Sequence, residues 1–276
     1  MELTSTEKLI LLKIKNDIEV FTTKSISELS KLYYASDASI LRLVKKLGYK
    51  TLKEMQIEFG SKLKIDNMLD DFKEDFLFDE NANISETISS ITALSLYSIF
   101  KTEENLNKDS IEEFVNIISD SGELSIFGIG NSKNSVEFLN NQLKRIGVIS
   151  TIHNSVHGFL IHTNFYKNKN IALIISNSLK TKEVTFILNY LIENKIPYLI
   201  ISSIDSTNNN LFIEKAKSYI LYSTNSKEKY SFPMISSFYS QIFIINIIFN
   251  RLIQKTNDFK TKIELGNKLT NKWNES

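Results

Sequence analysis

The chain has 276 residues, no cysteine and a formal net charge of +1 from 33 basic against 32 acidic side chains. Disulfides, thiol catalysis and thiolate zinc sites are excluded, and a cytoplasmic protein is the expectation. An apolar share of 42% allows a sizeable core, and the near-neutral balance means that any basic surface is local rather than global.

The opening "MELTSTEKLILLKIKND" has charged residues scattered among apolar ones and lacks a signal-peptide core. From the start to about residue 60 the pattern is short and helical. Leu11, Ile14, Ile18 and Phe21 recur at helix spacing. Ser25 with Glu28 three positions on makes a capping box ahead of Ile26, Leu29 and Leu32. Ser36 caps a further helix, whose Ile40, Leu43, Val44 and Leu47 share one face, and Gly48 stops it. A short helix over 52–59 follows. The stretch "DDFKEDFLFDENANIS" marks a boundary, and 87–100 a connecting helix.

From about residue 108 the rhythm becomes strand, helix, strand. The runs 124–127, 171–175 and 198–201 are short and continuously apolar, as for strands covered on both faces, with weaker candidates at 148–152 and 219–222. Val136, Leu139, Leu143 and Ile146 mark one intervening helix; Val184, Ile187, Leu188 and Leu191 mark another. Such alternation implies right-handed crossovers and a parallel sheet. The segment 238–252 is apolar nearly all round, so it is buried in the domain or against another subunit. Its core, 242–249, is interrupted by Asn246 and too short to span a bilayer, so no membrane partner is expected. The polar tail 256–276 reads as helical and suited to packing on a neighbouring subunit.

The turn "LYYAS" separates two of the short N-terminal helices at helix-turn-helix spacing. The helix over 36–47 is then the recognition helix. Ala38, Arg42 and Lys45 face outward, flanked by Ser39 and Lys46, with Ser36 at its head. Between Lys24 and Lys53 the cations Lys24, Lys31, Arg42, Lys45, Lys46, Lys50 and Lys53 are opposed only by Glu28 and Asp37, which is the local basic patch. The competing reading is a solvated helical bundle with ordinary surface lysines.

The stretch "SISELSKLYYASDASILRLVKKLGYKTLKEM" resembles the N-terminal domain of RpiR/MurR-type bacterial regulators. Ser27, Leu29, Ser36, Arg42, Leu47, Gly48 and Tyr49 match that pattern, whereas Ser39 stands for its usual threonine and Leu43 for its usual phenylalanine. Tyr34 occupies the usual turn glycine, so the turn must avoid the left-handed conformation or be strained by it. The resemblance implies a fold class of an all-α helix-turn-helix domain (1–75), a helical linker (76–107), an α/β sugar isomerase (SIS) domain with a parallel sheet sandwiched by helices (108–256), and a C-terminal tail (257–276).

The segment "LSIFGIGNSKNSVEFLNNQLKRIG" looks like the first strand, loop and helix of a SIS domain, and "IALIISNSLKTKEV" like its Ser-x-Ser-Gly-x-Thr loop. Ser176, Ser178 and Thr181 align with that loop's hydroxyls, and Ser132 follows Gly128 and Gly130 at the start of the preceding helix. A phosphate favours short donors around a helix N-terminus, where free N–H groups and the helix dipole already attract an anion. The same serines and threonine are also ordinary helix caps. Leu179 replaces the loop glycine, and its side chain would tilt the loop or fill part of the pocket. Ser202 and Ser203, after the next strand, read as turn residues. Lys133 stands where a dinucleotide fingerprint needs its third glycine, so no nucleotide cofactor is expected.

His153, His157 and His162 fall in one stretch. His153 and His157 have the i, i+4 spacing of a helical metal pair, but no carboxylate lies between them and no metal is expected. His157 is the candidate for a polar wall of the sugar pocket. The leading reading is a transcription regulator whose partners are operator DNA, a phosphorylated sugar and further copies in a homodimer or homotetramer. The alternatives are a sugar-phosphate isomerase, with Glu137, Glu183 or His157 as base, and a regulator whose SIS domain is a ligand-less scaffold.

Overall fold

The computed structural model describes residues 3–70, 81–166, 169–224, 234–255 and 258–275. The chain divides into two compact units, Met1–Ala93 and Leu94–Ser276. The charged stretch expected to mark a boundary lies, over 71–80, outside the described residues.

The first unit is helical. It comprises α1 (Ser5–Asn16), α2 (Ile18–Thr23), α3 (Ile26–Tyr33), α4 (Asp37–Lys46) and α5 (Leu52–Asp70), followed by the start of α6 (Ile84–Asn105). The periodicity expected to run from Leu11 to Phe21 is broken at Asp17, whose carboxylate accepts from Val20 N at 3.1 Å and starts α2. A short acceptor next to its own backbone competes with helix continuation, and here it wins. The buried face of α1 is therefore Ile10 and Ile14, with Leu11 only half-buried. These two pack with Phe21, Leu29, Ile40, Leu43, Val44 and Met55. At the start of α3 the Glu28 carboxylate accepts from Ser25 N at 2.9 Å, as the capping pattern requires. Gln56 of α5 donates its amide to the carbonyls of Phe21 (2.8 Å) and Lys24 (2.7 Å), closing the end of α2. The helix expected to end near residue 59 continues to Asp70.

The second unit is a five-stranded parallel sheet in the order β2-β1-β3-β4-β5. The strands are β1 (Glu123–Phe127), β2 (Ser150–Ile152), β3 (Asn170–Ile175), β4 (Tyr198–Ser203) and β5 (Ser218–Tyr222). Alternate residues serve opposite faces. Leu124, Ile126, Leu173, Ile175, Leu199 and Ile201 pack beneath α7 (Lys108–Asp120), α8 (Ser132–Arg145) and α12 (Met234–Lys255). Phe127, Ala172, Ile174, Tyr198 and Ile200 pack beneath α9 (Val156–Phe165), α10 (Lys182–Glu193) and α11 (Asn210–Lys215). Two covered faces explain why the central strands read as unbroken apolar runs.

α12 gives its Ile244, Ile245, Ile248 and Leu252 to the first of these cores. The tail forms α13 (Phe259–Asn274), where Lys262 lies beside Gly147 at the end of α8. Among the described residues no helix is long and apolar enough to cross a membrane.

Candidate functional site

In the first unit, α3 ends on Tyr34 with φ 53° and ψ 48°. The residue at the usual glycine position thus adopts the left-handed conformation, at a cost of about 1–2 kcal/mol for an L side chain. Tyr34 is 91% exposed. Beneath it Lys13 donates from Nζ to the Tyr33 carbonyl (3.0 Å), and that Nζ stands 4.8 Å from the ring centroid. The chain then enters α4 through Ser36, whose Oγ accepts from Ser39 N at 3.2 Å. Ser36, Ala38, Arg42 and Lys45 are exposed and Ser39 is half-buried, while Ile40, Leu43 and Val44 face the core. Arg42 Nη2 donates to Ser39 Oγ at 3.4 Å and the side chain stays open to solvent.

Lys46 departs from the expected outward set. Its Nζ is 2.7 Å from Glu7 Oε2, and Glu7 is only 1% exposed. The same carboxylate accepts from Thr4 N at 2.8 Å and lies 3.8 Å from Arg42 Nε. The Lys46 bond and then the Thr4 amide hold the Glu7 carboxyl down at about 2. A side chain so engaged joins α1 to α4 and orients the helix instead of offering a free cation.

In the second unit β1 leads to β2 on one side, while β3 lies on its other side. The loops after β1 and β3 therefore flank the topological switch point, where ligands settle in open α/β sheets. The first loop is drawn in tightly at Gly128. A Cβ there would meet Val136 Cγ2 at 2.7 Å and Ile175 O at 3.1 Å. It delivers Ser132, buried, to the first turn of α8. The second loop delivers Ser176, Ser178 and Thr181 to the start of α10.

Side chains of Thr4, Asp17, Ser36, Asn107 and Ser155 cap α1, α2, α4, α7 and α9. At α8, α10 and α13 the cap residues Asn131, Thr181 and Asp258 make no side-chain cap bond. Thr181 is exposed, with extended backbone. Its hydroxyl is thus not consumed by capping, the competing role for this residue type. Ser176 Oγ accepts from Leu179 N and Ser178 Oγ from Lys180 N, each at 3.3 Å, which curls the loop around its own amides.

Leu179 resolves differently from the sequence expectation. Its backbone keeps the glycine-like conformation, φ 55°, and its side chain is fully buried among Phe159, Val184 and Leu188. It neither tilts the loop away from a left-handed turn nor fills the crevice, because the isobutyl group points into the sheet–helix core.

Beneath the loops lies a buried network that sequence reading missed. Gln241 of α12 donates its amide to the Tyr222 hydroxyl (2.7 Å) and Ser132 Oγ (3.4 Å), and Tyr222 donates onward to Asn177 Oδ1 (3.1 Å). Burial pushes the Tyr222 phenol up, keeping it a donor. Ser202 and Ser203, expected after the strand, are the last two residues of β4: Ser202 Oγ donates to the Ser176 carbonyl at 2.7 Å, and Ser203 Oγ accepts from Asp205 N. Surface hollows of about 290 and 410 Å³ lie at the opposite, amino-terminal end of the sheet, around Lys169 and around Ile196, away from both loops.

The histidines separate. His157 is exposed in the first turn of α9, following the carboxyl end of β2. His153 precedes that helix, so its i, i+4 spacing to His157 is not a helical one. It stacks instead on His162, ring centroids 4.8 Å apart. Both bond Ser125 Oγ, at 3.3 and 3.0 Å, and His162 Nε2 lies 3.4 Å from Glu123 Oε1. Burial, then the neighbouring His162, pulls His153 down to about 4. Among the described residues no group of three or more His, Asp or Glu side chains is placed to hold a metal ion.

No protein-family model matches the sequence. An uncharacterized HTH-type transcriptional regulator of Clostridium perfringens is 24% identical over 252 residues, 91% of this chain and 88% of its own. Another, from Haemophilus influenzae, is 22% identical over 260 residues, 93% of this chain and 88% of its own. The structure of Vibrio vulnificus NanR complexed with ManNAc-6P superposes with TM-score 0.59 at 14% identity, covering 97% of this chain and 93% of that one. The sugar isomerase domain of an RpiR transcription factor from Sphaerobacter thermophilus gives 0.54 at 12% identity, over 64% of this chain and 96% of that one. A sugar-phosphate isomerase proposed from Listeria monocytogenes gives 0.56 at 16%, over 66% and 95%. The fold is that of a helix-turn-helix domain followed by a SIS domain, and the likeness to HTH-type transcriptional regulators covers more than nine-tenths of the chain.

Proposed function

We propose that this chain, a helix-turn-helix domain joined to a SIS domain, is a transcription regulator that binds operator DNA through α4 and senses a phosphorylated sugar at the switch-point crevice. The reading rests above all on the starts of α8 and α10. Both meet at the carboxyl ends of adjacent strands, both lack side-chain caps, and both are ringed by hydroxyls at Ser132, Ser176, Ser178 and Thr181. The helix dipole behind both starts favours an anion, although Lys133 N and Asn134 N of α8 already donate to the Gly130 and Asn131 carbonyls, and neutral hydroxyls suit a phosphate that must also leave. His157 supplies a polar wall. The Vibrio structure, which holds a sugar phosphate on the same fold, supports this choice of ligand.

On the reader side Ser36, Ala38 and Ser39 head the recognition helix towards base edges, and Arg42 and Lys45 meet phosphates. The protein acts in the cytoplasm as a homodimer or homotetramer, so that ligand changes the spacing of paired readers. It shifts DNA affinity only by its differential affinity for the competent and incompetent arrangements.

A sensor is favoured over an isomerase. Both relatives are named as regulators, and of the possible bases Glu137 lies 4.0 Å from Lys133. The test is a DNA duplex enriched from a random pool by the protein itself, titrated at fixed salt with and without hexose and N-acetylhexosamine 6-phosphates. A change in affinity with one sugar phosphate, without turnover of that sugar, supports the regulator. Turnover with no effect on DNA binding would reverse the assignment.

A further inference from the structure

Tyr34 stands where the backbone calls for glycine, at φ 53°. Folding does not explain the choice. Tyr34 is 91% exposed and so gains almost no burial, and the Lys13 ammonium stands 4.8 Å from its ring centroid. An exposed cation–π pair is too weak to offset a left-handed tyrosine. Backbone strain retained without a folding return directs attention to function.

The place of the ring says what it binds. Tyr34 is two residues before Ser36, the cap of α4, so the two Cα atoms are at most about 7 Å apart. The ring therefore projects beside the head of the recognition helix. Cations lie around it: Lys13 Nζ stands over the ring, Lys31 is exposed one turn earlier on α3, and Arg42 and Lys45 lie exposed along α4, with Asp37 in the first turn of α4 an opposing acid. A flat ring with a phenol donor amid lysines matches a sugar–phosphate backbone.

We propose that Tyr34 is a DNA-backbone contact of the reader: its hydroxyl donates to a phosphate flanking the base pairs that α4 faces, its ring lies on the adjoining sugar, and Lys13 both holds the ring outward and faces the same strand. The inference rests on the DNA-reading role of α4 and adds an anchor on its approach side. Contacts of this kind set register without carrying base identity. A neutral contact leaves the salt dependence of binding alone, whereas a lysine near a phosphate adds about one to its slope.

The test uses full-length protein and the enriched duplex described above. Tyr34→Gly and Tyr34→Asn both tolerate the left-handed turn and remove the ring. Each is expected to keep or raise the thermal midpoint, to weaken binding about tenfold on specific and unrelated duplexes alike, and to leave the salt slope unchanged. Tyr34→Phe is expected to lose part of that factor, and Lys13→Ala to lower the slope by about one. Binding by the Gly and Asn variants within twofold of the parent overturns the proposal. So does a change of oligomeric state with unchanged DNA affinity, which would mean that the ring docks on another copy of the chain. Arg42→Ala is the control: if it also binds like the parent, the DNA-reading assignment of α4 itself fails, whereas a weak Arg42→Ala beside a normal Tyr34→Gly sinks only the Tyr34 contact.

Discussion

Lys46 Nζ lies 2.7 Å from Glu7 Oε2, joining the last turn of α4 to the first turn of α1. Breaking a pair whose carboxylate is buried leaves an uncompensated charge, which is costly. Lys46→Ala is therefore expected to lower the unfolding midpoint of the first unit by several degrees, and Lys45→Ala to change stability by no more than about 0.5 kcal/mol, as at an open surface site. In DNA titrations the order inverts, with Lys45→Ala the more damaging once both proteins are held well below their midpoints. Equal stability of the two variants would show that the Glu7 pair does no orienting.

The same pair gives the reader a pH limit. Glu7 and Glu28 are both held at about 2, Glu7 by Lys46 first and Glu28 by the Ser25 hydroxyl first. A carboxyl depressed in the folded state contributes stability above its ordinary value, 4.5 in both cases, and loses it as pH falls towards 2. Denaturation of the first unit followed from pH 5 down to pH 2 is expected to show falling stability, with a shallower fall in Glu7→Gln and Glu28→Gln. Parallel curves for parent and variants would remove these carboxylates from the explanation.

The second unit has its own window. His153 is pulled from 6.5 to about 4 by burial and by His162, partly countered by Glu123. The folded form then binds fewer protons than the unfolded chain, so stability is present above 6.5 and declines as pH drops towards 4. Urea midpoints between pH 7 and pH 4 are expected to fall less steeply for His153→Gln than for the parent. An equal slope would mean that His153 titrates as freely in the fold as outside it.

Leu179 sets two effects against each other. Its backbone favours glycine and its side chain fills the core. Leu179→Ala loses the burial and keeps the strain, an expected cost of about 2–5 kcal/mol. Leu179→Gly loses the burial but relieves the left-handed turn by about 1–2 kcal/mol. Stability should therefore run parent, Gly, Ala, an unusual order that equilibrium denaturation can check. Ala above Gly would mean that the loop does not hold the left-handed turn in solution.

Tyr222→Phe deletes the hydroxyl between Gln241 and Asn177. Leaving the buried Gln241 amide and the half-buried Asn177 amide short of a partner costs about 1–3 kcal/mol. Because Asn177 sits between Ser176 and Ser178, phosphosugar affinity should fall as well. Calorimetry that finds stability reduced and affinity unchanged would confine the network to a structural role.

What the sequence revealed is mostly local. The outward face of α4 followed from Ile40, Leu43 and Val44 at helix spacing, and the hydroxyl loop from a strand running straight into Ser176. What it concealed depends on distance along the chain. Glu7 and Lys46 are 39 residues apart, and Tyr222 and Asn177 are 45 apart; no periodicity announces such pairs. The contact of His153 with His162 lies outside the i, i+4 spacing that the sequence displays, because β2 and α9 bring the two rings together. Leu179 looked like an obstruction because a linear pattern records the missing glycine and not the direction of the side chain. Asp17 was a legible signal, a capping residue inside a helical run, that the apolar spacing overrode.

The central claim, an anion site shared by the starts of α8 and α10, is tested most directly by thermal denaturation of the full chain against sugar phosphates, the matching free sugars and inorganic phosphate. Concentration-dependent stabilisation of the second unit by a sugar phosphate, following mass action, absent with the free sugar and abolished in Ser178→Ala/Thr181→Ala, is the expected result. An identical ligand-induced shift in the double variant, or none in the parent with any sugar phosphate, would contradict it.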